Sequence, residues 1–165
     1  MSQWTHVAGI IRLDNMGICI IRFPGRDELE KILTECIVEK LGKPQTFDGP
    51  MPEEKCILPL GSEGSVEYKI SPAGHEGGMV WGNVSFYGDL RDFGKDDYPG
   101  LKNWFMETCL KFSAGQQPIK QQTAKSIISN SFTIRNAVLL VEIEFGEEFV
   151  LVWDGEKKDL RQLTV

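Results

Sequence analysis

Histidine is scarce in this chain, cysteine is scattered, and no apolar run approaches the length of a membrane span. His6 and His75 are the only two imidazoles in 165 residues, so a histidine-built metal site or proton relay has little to draw on. The four cysteines, Cys19, Cys36, Cys56 and Cys109, include no pair at metal or redox spacing. Cys36 and Cys109 fall on apolar faces of predicted helices, where cysteine acts as a small hydrophobe. All four read as reduced thiols, which places the protein in the cytoplasm. The longest apolar runs, Ala137 to Val141 and Phe149 to Trp153, are far below the ~20 residues of a membrane helix. Met1 to Asp14 lacks the basic start and apolar core of a signal peptide. Clustered cations are missing too. Eighteen Lys and Arg face twenty-four acids, and nucleic-acid binding needs cations gathered on phosphates. No nucleic acid and no membrane are therefore expected among the partners.

What is present is an ordinary globular composition, 41% hydrophobic and 25% charged. A chain of this length buries about 70% of its unfolded surface without help from metals or bridges. One domain over 1–165 is expected. The net charge of −6 is concentrated in residues 51–100, where Lys55, Lys69, Arg91 and Lys95 face nine acids. An acidic middle of this kind suits a basic partner or a solvated surface.

Residues 4–13 alternate as a strand, and Ile18 to Phe23 form a second extended piece. Asp27 and Glu30 make a capping box. Leu29, Ile32, Leu33, Cys36, Ile37 and Leu41 then form a helical stripe, stopped by Gly42 and Pro44. Lys43 to Glu54 reads as a loop. Cys56 to Leu60 and Val66 to Ile70 read as strands joined by a hairpin at Gly61 to Ser65. Pro72 to Gly78 reads as a glycine-rich turn. Met79 to Tyr87 is a strand with Val80, Val84 and Phe86 on one face and Trp81 and Tyr87 on the other. After an acidic loop, Pro99 starts a helix with the stripe Leu101, Trp104, Phe105, Thr108, Cys109 and Phe112, closed by Gly115. Ala124 to Ile128 is weakly helical. Phe132 to Glu144 is a strand whose centre, Val138 to Val141, has no polar face and so belongs inside a sheet. Phe149 to Trp153 is a further strand, and Leu160 to Val165 an edge strand.

The expected fold class is α+β: an antiparallel sheet with two helices on one face. Val7-x-Gly9-x-Ile11-x-Leu13 matches Val80-x-Gly82-x-Val84-x-Phe86 at an offset of 73, and Leu29, Ile32, Leu33 match Leu101, Trp104, Phe105 at 72. Two readings fit this: a duplicated β-α-β-β unit with halves 1–72 and 78–165, or the general likeness of amphipathic elements. The layout resembles duplicated strand-helix-strand-strand domains that bind small molecules, which implies a groove between the halves and transfers no residues. The opening Trp4-Thr5-His6-Val7-Ala8-Gly9-Ile10-Ile11-Arg12 resembles the start of small uncharacterised proteins encoded by phages and prophages of gut bacteria.

Candidate chemistry is sparse. His75 beside Glu76 in the loop 73–78 has the character of a general base, but no serine or cysteine is tied to it as a nucleophile. The paired layout is also similar to that of metalloenzymes drawing a histidine and a glutamate from each half. His6 with Glu142 or Glu144 would serve, but Met79 stands where the second histidine is needed. Asp89, Asp92, Asp96 and Asp97 follow no calcium-loop spacing. Asp97 reads as a helix cap, and Arg91 as a local ion pair with the flanking aspartates. Gly74, Gly77 and Gly78 lack the lysine-serine pair and helix of a phosphate loop. No catalytic residue, metal or cofactor is therefore assigned. Trp81, Tyr87 and Trp153 read as lying opposite the core faces of their strands, where aromatics anchor partners or flat ligands; packing under a loop competes. Together with His75 and Glu76 they are the expected contact residues. The expected function is a non-enzymatic binding protein, an accessory factor of a phage or mobile element acting by protein–protein contact. A small-molecule-binding domain is the first alternative, and a hydrolase or metal-dependent enzyme the second.

Overall fold

A computed structural model describes residues 2–15, 19–20, 26–41, 58–76, 79–113, 126–127 and 133–164. In chain order the elements are β1 (Trp4–Asn15), β2 (Cys19–Ile20), α1 (Arg26–Leu41), β3 (Glu67–Glu76), β4 (Met79–Arg91), α2 (Tyr98–Ser113), β5 (Ser126–Ile127), β6 (Thr133–Ile143), β7 (Glu148–Asp154) and β8 (Asp159–Thr164). Six strands form one antiparallel sheet in the order β3-β4-β1-β6-β7-β8, and β2 pairs with β5 separately. The chain is α+β, and β6 lies inside the sheet, as its apolar centre requires.

Alternation sets the core. Val7, Ile11 and Leu13 of β1, Val84, Phe86 and Leu90 of β4, Ala137, Leu139, Val141 and Ile143 of β6, and Phe149, Leu151 and Trp153 of β7 are all buried. Against this face α2 lays its predicted stripe, and all six stripe residues are buried together with Tyr98. Phe86 meets Trp104 edge to face at 5.3 Å, and Tyr98 stacks on Phe149 at 4.3 Å. Contacts of this geometry contribute about 0.5–1.5 kcal/mol each beyond simple burial. Neighbouring both α2 and β3, α1 adds Ile37 and Leu41 to the same core. Gly9 is required by close approach: a Cβ there would stand 2.7 Å from the Val138 carbonyl oxygen.

Several expectations change. The glycine-rich turn at 72–78 is strand as far as Glu76, because Pro72 sits on the edge strand β3, where its missing N–H breaks no central ladder. A register shift between Pro72 and Gly74 absorbs the irregularity. Residues 56–57 of the expected strand Cys56 to Leu60 lie outside the described residues, and residues 58–60 contribute only an isolated bridge from Leu60 to Ser65. The hairpin between them is present, with Gly64 at φ 78. Ser126–Ile127 is strand, not helix. The Asp97 carboxylate accepts from Gly94 N–H at 2.9 Å, while its backbone carbonyl takes the first helical bond from Gly100. It ties back the loop before the helix. The predicted loop 43–54, the extended residues 21–23 and the polar segment 116–123 lie outside the described residues.

Candidate functional site

The sheet face opposite Phe86 and Leu139 carries an apolar band. Register places Glu67, Tyr87, Ala8, Leu140, Val150 and Leu163 side by side in one row across six strands. The next row holds Lys69, Ser85, Ile10, Val138, Val152 and Arg161. Ile10 is 38% exposed, Tyr87 47% and Leu163 55%. Ala8 is exposed, and Val138, Leu140, Val150 and Val152 are half-buried. Charged and polar groups border the band on both sides.

At one end, Asp89, His6, Glu142 and Glu148 form a row. His6 Nδ1 lies 2.6 Å from Asp89 Oδ1, and His6 Nε2 lies 4.0 Å from Glu144 Oε1. The hydrogen bond to Asp89 raises the His6 pKa above 6.5 against a smaller opposing effect of burial, and the charges of Asp89, Glu142 and Glu144 push the same way. With a carboxylate at each ring nitrogen, the site favours imidazolium. That chemistry suits a fixed cation better than a free base. At the other end lie Arg12, Asn83 and Asn136, with Arg135 Nε 2.9 Å from Asp14 Oδ2. Beyond the acidic row the β6–β7 turn carries Phe145, 92% exposed and at φ 58.

The expected contact residues divide. Trp81 and Tyr87 do share the open face, Trp81 half-buried and Tyr87 exposed. The Tyr87 hydroxyl donates to Glu67 across the β3–β4 pair, which raises the phenol pKa. Trp153 is a correction: it is 6% exposed and belongs to the core with Phe149 and Leu151. The run Phe149 to Trp153 has no polar position to reveal its parity, and the core face took the larger residues. His75 and Glu76 are in the edge strand β3 rather than a loop, and their side chains lie outside the described residues. Arg91 also differs from expectation, pairing with Glu63 and not with its flanking aspartates. Asp89, read as loop, is in β4 directly opposite His6. Among the described residues no group of three His, Cys, Asp or Glu side chains is arranged to hold a metal ion, and no helix is long and apolar enough to cross a membrane.

The open apolar band itself was missed, although its signal was there. A β6 centre without a polar face implies apolar side chains on both sides of the sheet, as do Ala8 and Ile10 of β1. No protein-family model, curated protein or solved structure matches this chain.

Proposed function

We propose that this chain is a non-enzymatic binding protein, an accessory factor of a phage or other mobile element, that acts by protein–protein contact through the open face of its sheet. The observation that carries the reading is the band from Tyr87 to Leu163, with Ile10 beside it, exposed on a folded domain. Contiguous apolar surface rimmed by charge marks contact sites, whereas single exposed hydrophobics do not. In this reading both helices cover the opposite face. The halves 1–72 and 78–165 are a duplicated unit, supported by the order β3-β4-β1-β6, in which each half's first strand is flanked by a strand of the other.

The test uses Ile10→Asp. Ile10 is 38% exposed in a strand paired on both sides, so the change should cost about 1 kcal/mol and leave the fold intact, which a thermal melt checks. The immobilised whole chain and its Ile10→Asp variant are compared for the proteins that each retains. Retention that depends on Ile10 supports the reading, and identical retention by both rejects this face as the contact surface.

A further inference from the structure

We propose that Arg12 is the centre of a carboxylate-binding site on the open face, where it receives an Asp, Glu or C-terminal carboxylate of the partner. The inference rests on the contact reading above and names a group that the partner brings to it.

Ser71, Asn83, Arg12 and Asn136 stand side by side across β3, β4, β1 and β6, next to the apolar band. Arg12, Asn83 and Ser71 are half-buried, and Asn136 is exposed. All four side chains can donate: the guanidinium through a fork of five N–H groups, each carboxamide through two, the hydroxyl through one. Among the described residues none of the four has an ion-pair or side-chain hydrogen-bond partner.

The neighbouring acids are already engaged. Asp14 follows Arg12 on the same face of β1, and Arg135 takes it, Nε to Oδ2 at 2.9 Å. The register shift after Arg12 arranges this. Asn136 pairs with Arg12 and Ile134 with Leu13, so Arg135 is the extra residue of a bulge, turned toward Asp14. Asp154, on the same face of β7, accepts from the N–H groups of Glu156 and Lys157 and lies 3.6 Å from Arg161. Arg12 is left for a group from outside.

Charge and shape select a carboxylate. One guanidinium without a partner matches one negative charge. Lys69, the next such cation on this face among the described residues, is two strands away, so a phosphate dianion would be only half neutralised. A carboxylate takes two parallel N–H bonds from the fork, with Asn83 and Asn136 about 4.8 Å to either side. The row of Asp89, His6, Glu142 and Glu148 lies roughly 20 Å away along the strands. Its net negative charge repels a carboxylate at that end, so the partner lies on the band in one orientation. Arginine beside apolar contact surface is a frequent hot spot of binding.

NMR of the whole chain tests this, following the side-chain N–H signals of Arg12, Asn83 and Asn136. The probes are an acetylated, amidated Leu-Glu-Leu peptide, its Leu-Gln-Leu counterpart and inorganic phosphate. The glutamate peptide should shift these signals and bind roughly tenfold more tightly than the glutamine peptide. Arg12→Gln should abolish the difference. Arg12→Lys, which keeps the charge without the fork, should retain part of it. Thermal melts confirm that both variants fold. Equal binding of the two peptides overturns the proposal, and so does a difference that survives Arg12→Gln. Phosphate binding more tightly than the glutamate peptide overturns the carboxylate assignment. Retention of a foreign protein through Ile10 with no discrimination at Arg12 leaves the contact reading standing and removes this site. Discrimination at Arg12 without retention through Ile10 supports the site and removes the contact reading.

Discussion

Lys40 Nζ donates to the carbonyl oxygen of Lys111 at 3.1 Å, joining the last turn of α1 to the last turn of α2. Lys40 as a whole residue is 7% exposed, and its Nζ lies 5.6 Å from the Phe112 ring centroid. A cation at the carbonyl end of a helix also meets the negative end of its dipole. Lys40→Met keeps most of the stem's packing and removes the charge-assisted bond. The expected loss is about 1.5–3 kcal/mol in denaturant unfolding. A loss near zero would show that desolvating the ammonium cancels the bond.

Thr108 presents the opposite case. Its side chain is 1% exposed, and its hydroxyl has no hydrogen-bond partner among the described residues. Thr108→Val removes the unpaired group at similar volume, and it should stabilise the protein by about 1 kcal/mol. A destabilised variant would show that the hydroxyl is satisfied after all.

His6 should titrate above 6.5 in the folded chain. A raised pKa means that its stabilisation is fully present below the unfolded value and is lost as pH rises through the folded value. Stability should therefore fall from about pH 6.5 upward in a step that Asp89→Asn reduces. Proton NMR of the imidazole measures it directly. An Asp89→Asn midpoint equal to that of the wild type would contradict the 2.6 Å pairing.

Phe145 holds a left-handed backbone conformation while burying almost nothing. A bulky side chain is penalised there, and asparagine is tolerated. Phe145→Asn should raise the unfolding free energy by about 1 kcal/mol. An unchanged denaturant midpoint would mean that the turn relaxes without cost.

Duplex DNA should not be retained in a gel shift at ~150 mM salt, because affinity requires several cations placed on phosphates. Arg135 is held by Asp14, and Arg161 lies 3.6 Å from Asp154. Submicromolar binding that weakens steeply with salt would displace the protein-contact reading.

The parts of this fold legible in the sequence were those with one strong periodicity. The α2 stripe from Leu101 to Phe112 and the interior position of β6 both followed from pattern alone. Strand parity was legible only where a polar residue marked the outer face. Trp81 and Tyr87 alternate with Val84 and Phe86 through Asn83 and Ser85, and were placed on the outer face. Trp153, in an all-apolar run, was not. Pairing was invisible, since Asp89 and His6 are 83 positions apart and become neighbours only through the β1–β4 register. That register also assembles the open face, so the candidate site was less legible than the core.

The central place of β1 has a consequence for how the protein is made. Val7 pairs with Gly88 on one side and with Val141 on the other. During synthesis the first strand therefore waits until β6 has been translated before its second ladder can form. At about 5–20 residues per second that interval is roughly ten seconds. Pairings so distant along the chain also slow refolding, because loop closure precedes any gain from contact. The alternating apolar segment Val7 to Leu13 thus stays incompletely paired on the ribosome for most of the chain's elongation, where a chaperone would find it.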